Sequence, residues 1–72
     1  MLRLTQQRVS RGLSKARVAR RAGLDQALMS RVESGRYRPY GGELRRIAEA
    51  LGWEGDPIVL LEEVADPPRD AA

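Results

Sequence analysis

Seventy-two residues bound the molecule to one small domain, since a second core does not fit. The chain has no cysteine and no histidine, which excludes disulfides, the commonest zinc ligands and any Ser-His or Cys-His nucleophile, so neither an enzyme nor a cofactor or metal is expected. The net charge of +3 hides a division that points one end of the chain at a polyanion: through Arg46 twelve Lys/Arg face Asp25, Glu33 and Glu43, a net +9, and from Ile47 onward seven carboxylates face Arg69, a net −6.

The elements follow in order. A first helix is predicted over Leu2–Arg11, with Leu4 and Val9 apolar, Leu13 continuing the buried face and Gly12 ending it. Ser14 is a good N-cap for a second helix whose Val18, Ala19 and Ala22 share a face, and Gly23 stops it within one residue. Asp25 caps a third helix whose Leu24, Met29 and Val32 point back at the second. Counted from Lys15, the pattern is apolar at 4, alanine at 5, apolar at 8, glycine at 9 and apolar at 10, 15 and 18. Gly35 then closes the third helix and a basic loop, Arg36-Tyr37-Arg38-Pro39, follows. A fourth helix is predicted over Gly42–Leu51, from Leu44, Ile47, Ala48 and Leu51, with Gly52 as its end and Trp53 plugging the bottom of the core. Asp56-Pro57 announces a last helix carrying two apolar faces, Ile58/Leu61/Ala65 and Leu60/Val64. A core this small cannot take both, so Leu60 and Val64 are expected to form a dimer contact. Residues 66–72, Asp-Pro-Pro-Arg-Asp-Ala-Ala, lack periodicity and are expected to be a disordered tail after a domain over 1–65. The longest apolar run, Ile58–Leu61, is far short of a membrane span and Met1–Gln6 is no signal peptide, so a cytoplasmic protein without a membrane partner is expected.

The stretch from Gly12 to Gly35, GLSKARVARRAGLDQALMSRVESG, resembles the helix-turn-helix of the lambda repressor/Cro-like (Xre-type) DNA-binding domains, and the likeness runs from about Leu4 to Trp53. The resemblance implies an all-α, compact five-helix domain with the helix-turn-helix at about residues 15–34. It implies a pair between Arg8 and Glu33, tying the first helix to the end of the third and leaving a guanidinium edge for a phosphate. It implies that Lys15 reaches phosphate beside the free N–H groups of the second helix, and that the loop lies along the DNA backbone. Phosphate contacts are therefore expected at Lys15, Arg8, Ser34, Arg36, Tyr37 and Arg38. Here Tyr40-Gly41-Gly42 replaces the family's usual serine cap and following aliphatic residue, so a looser or later start of the fourth helix is expected.

In such domains the second helix of the motif enters the major groove. With Leu24, Met29 and Val32 buried, the outward residues are Gln26, Ala27, Ser30 and Arg31. Gln26 can pair two ways with adenine, Ala27 can touch a thymine methyl, and Arg31 can grip N7 and O6 of guanine. The expected function is a double-stranded DNA-binding transcriptional regulator, a repressor acting as a homodimer on an inverted repeat. An antitoxin, a controller-type activator, or a protein-interaction module using the C-terminal helix or tail are the alternatives.

Overall fold

In the computed structural model, residues 1–65 are described, and the expectation of a disordered tail at 66–72 lies outside them. Four α-helices, α1 (Arg3–Ser10), α2 (Lys15–Ala22), α3 (Gln26–Glu33) and α4 (Gly41–Leu51), are followed by a 3-10 turn over Pro57–Leu61. The expected caps are in place. Ser14 accepts from the Arg17 N–H at 3.1 Å, Asp25 from the Ala27 N–H at 3.1 Å, and Asp56 from the Ile58 N–H at 3.1 Å. At Gly23 the backbone is left-handed, φ 69°, which lets the Leu24 N–H turn back to the Ala19 carbonyl at 2.8 Å and start α3 three residues later.

α2 packs on both α3 and α4, while α1 and α4 close on the 3-10 turn. Leu4, Val18, Met29, Val32, Ile47 and Leu60 are fully buried where these meet, each burial contributing about 1.5–3 kcal/mol. Ala19 and Ala22 are also buried, as small residues must be where α2 meets its two neighbours. Trp53 packs half-buried against this core, and its indole N–H donates to the Asp56 carbonyl at 3.2 Å.

Three expectations are corrected. Val9 does not join the core: it is 57% exposed on α1. The five-helix count becomes four α-helices and one 3-10 turn, because the chain turns extended at Glu62 and pairs with its own beginning. Leu2 and Glu63 form an antiparallel bridge, flanked by Arg3 N–H to Glu62 carbonyl and Val64 N–H to Met1 carbonyl bonds, both 2.8 Å. The tighter 3-10 winding also exchanges the apolar faces. Leu60, expected at a dimer contact, is fully buried within the monomer, and Ile58, expected in the core, is 47% exposed. Val64 is half-buried beside Met1.

The later start expected for α4 is not found: the helix begins at Gly41, one residue before the predicted Gly42, despite lacking the serine cap. Glu43 holds the start of the helix by the reciprocal half of a capping box: its Oε1 takes the Tyr40 N–H at 3.3 Å. Among the described residues no helix is long and apolar enough to cross a membrane.

Candidate nucleic-acid interface

The face that α3 turns away from the core is set by the residues it buries. Met29 and Val32 are in the core and Leu24 packs against it, so Gln26, Ala27 and Arg31 are exposed and Ser30 is half-buried at the margin. These are the four residues that the sequence assigned to base edges, and they share one helix. Behind the far end of α3, Glu33 is gripped by α1. Arg8 Nε meets Oε2 at 2.7 Å and Nη2 meets Oε1 at 3.1 Å, while Thr5 Oγ1 donates to Oε1 at 3.1 Å. Arg8 Nη1 also donates to the Leu13 carbonyl at 2.8 Å, so one guanidinium ties together α1, the α1–α2 turn and α3. The expected Arg8–Glu33 pair is present and bidentate, and the side chain of Glu33 is only 5% exposed.

The charge of Arg8 is neutralised by Glu33 and three of its five N–H groups are held inside the protein, which leaves one N–H on each of Nη1 and Nη2 as the guanidinium edge expected to meet a phosphate. Lys15 opens α2 nearby. With Thr5, Arg8, Ser30, Glu33 and Ser34 it lines an open concavity of about 280 Å³, which brings the N-terminus of α2 and the flank of α3 to one place. Ser34, expected to donate to phosphate, donates its hydroxyl to the Arg31 carbonyl at 3.1 Å and is exposed.

The loop after α3 places Arg36 and Arg38 in solvent. Its start is tied to the helix by Arg36 and Tyr37 N–H groups that both reach the Arg31 carbonyl, at 2.9 and 3.2 Å. Tyr37 departs from expectation. Its hydroxyl donates to Glu43 at 2.7 Å and its ring packs on the core, so it faces inward rather than toward a phosphate. This hydrogen bond, then partial burial and the neighbouring carboxylate charge, raise the phenol above its ordinary pKa.

Charge pairing sorts the cations. Among the described residues the ion pairs join Arg8 to Glu33, Arg3 to Glu62 and the Met1 amine to Glu63, and none involves Lys15, Arg31, Arg36 or Arg38. The exposed Arg17, Arg20 and Arg21 of α2 and Arg45 and Arg46 of α4 are likewise outside those pairs. The positive field on this part of the molecule therefore comes from cations without carboxylate partners.

Sequence reasoning missed three contributors. Thr5 adds a third donor to Glu33, and Arg11 donates to the Leu51 carbonyl at the end of α4 while bonding Gln7. Glu43 is the third, and an acid three residues after the residue preceding a helix is the sequence signal that marks it. A family model described as a helix-turn-helix domain matches residues 2–61. No curated protein and no solved structure matches the chain.

Proposed function

From a chain that belongs to the helix-turn-helix domain family, as its likeness to lambda repressor/Cro-like domains implied, we propose a sequence-specific regulator of transcription that binds double-stranded DNA. The observation that carries this reading is the exposed face of α3, where Gln26, Ala27 and Arg31 stand clear of the core while Arg31, Arg36 and Arg38 have no carboxylate partner among the described residues. α3 would enter the major groove, with Gln26, Ala27, Ser30 and Arg31 against base edges. Lys15, Arg36 and Arg38 would meet phosphates on either side. The protein would act by occupying its operator, as a repressor does.

One such domain buries too little surface for tight specific binding, so two copies would share one inverted repeat with half-site centres about 10–10.5 base pairs apart. Leu60 cannot serve that contact from inside the core. The exposed apolar residues Tyr40 and Ile58 can, beside a groove lined by Gly41, Gly42, Leu44 and Pro57. Arg45 and Asp56 line the same groove, so a second copy meeting it there would present charges of both signs. The same groove favours a second reading, in which it receives a different protein and the domain is an interaction module.

Selection of duplexes from a random pool tests both. The expected outcome is an enriched inverted repeat whose affinity falls with salt by about 0.9 log units per phosphate contacted. Arg31→Ala should cost about 1–3 kcal/mol on that repeat and relax preference at one base pair, as read by competition binding. A single enriched half-site would rule out the dimer. Recovery of no sequence, even at low salt, would rule out DNA reading and leave the interaction module.

A further inference from the structure

Glu43 is a charged residue buried against the core, 7% exposed, and its burial has to be explained. A carboxylate withdrawn from water is costly unless it is well bonded, and an apolar side chain in its place would be easier to bury. Its Oε1 accepts from the Tyr37 hydroxyl at 2.7 Å and from the Tyr40 N–H at 3.3 Å. Those two donors bracket Arg38 and the buried Pro39 in the chain. The tyrosine ring is not held by packing alone. On one side it touches the core, but it also borders a concavity of about 160 Å³ shared with Leu2, Val32, Gly35, Arg38 and Leu61. A short phenol–carboxylate bond, about twice as strong as a neutral one, fixes the ring where packing leaves it room.

We propose that Glu43 is a positioning residue for the DNA backbone contact of Arg38, acting through the Tyr37 hydroxyl and the Tyr40 N–H. The proposal rests on the DNA-binding reading above and adds the part that holds the basic loop in its binding shape. The start of the loop is pinned to the end of α3 by the Arg31 carbonyl, and its far end is pinned to the first turn of α4 by Glu43. Arg38 then meets a phosphate with its backbone already ordered, and less conformational freedom is lost on binding.

The test is a double-mutant cycle on full-length protein, binding a duplex enriched from a random pool, with thermal unfolding of each variant alongside. Tyr37→Phe keeps the ring and removes only the donor. It should lower affinity about fivefold while the chain remains folded. In an Arg38→Ala background the same substitution should change affinity by less than about twofold, because the residue it positions is gone. Glu43→Gln keeps an acceptor for the phenol and should retain most of the affinity that Glu43→Ala loses. Tyr37→Phe with unchanged affinity, or with equal losses in both backgrounds, would overturn the positioning role while the duplex is still bound. A wild-type chain that enriches no duplex would overturn the DNA reading and this proposal with it.

Discussion

α3 and the loop that follows it both carry exposed cations, yet they are held by different forces. α3 is fixed from behind: Met29 and Val32 sit in the core and Glu33 takes three hydrogen bonds from α1. The loop adds the Tyr37 ring and the buried Pro39 as its apolar anchors, and its two ends are hydrogen-bonded to single acceptors, the Arg31 carbonyl and the Glu43 carboxylate. The difference matches what each would have to do. Hydrogen bonds to base edges tolerate little misplacement, so the residues that would read them belong on a packed helix. Phosphate contacts fix register rather than sequence, and a hydrogen-bonded loop suffices for them.

Breaking the packed side should have the largest effect. Met29→Ala leaves a cavity among α3, α2 and the core and should cost about 4 kcal/mol, measured by denaturant unfolding, which in a domain this small removes most of the folded population. Glu33→Ala attacks the same helix from its end. It strands the Arg8 guanidinium, whose side chain is 13% exposed, and should cost about 3 kcal/mol. Restoring an acceptor with Glu33→Gln should recover part of that loss. A Glu33→Ala chain as stable as wild type would show that packing alone sets the position of α3.

The same contrast governs what could be read in the sequence. α2 and α3 were legible because their signals are local: Ser14 and Asp25 at the starts, Gly23 at the turn, and an apolar spacing that leaves one face for the core. The last element was not. Whether Leu60 or Ile58 turns inward depends on 3-10 rather than α winding, and on residues 62–64 pairing with residues 1–3 from the other end of the chain. No periodicity within Pro57–Val64 carries that information. Val9 was misplaced for a related reason, since a helix of eight residues offers too few turns for its pattern to separate core from flank. The outward residues of α3 followed by subtraction once its core side was known. Tyr37 did not, because a tyrosine in a basic loop gives no sign that a carboxylate six residues later will take its hydroxyl inward.

The smallest expected effect sharpens the comparison at the start of α3, where packing and charge pull in opposite directions. Asp25 Oδ1 accepts from the Ala27 N–H and its negative charge lies against the positive end of the helix, both of which stabilise the fold. In the proposed complex, the same end of α3 approaches a polyanion, where a carboxylate is repelled. Asp25→Asn keeps the capping oxygen and removes the charge. Stability should fall by only a few tenths of a kcal/mol. Affinity for every duplex should rise, because one like charge has left the interface. Asp25→Ala, which removes the cap as well, should cost about 1 kcal/mol of stability. Thermal unfolding and binding at several salt concentrations separate the two effects. An Asp25→Asn chain with unchanged affinity would mean that the start of α3 does not face the DNA backbone, and the orientation of the helix in the groove would have to be turned around.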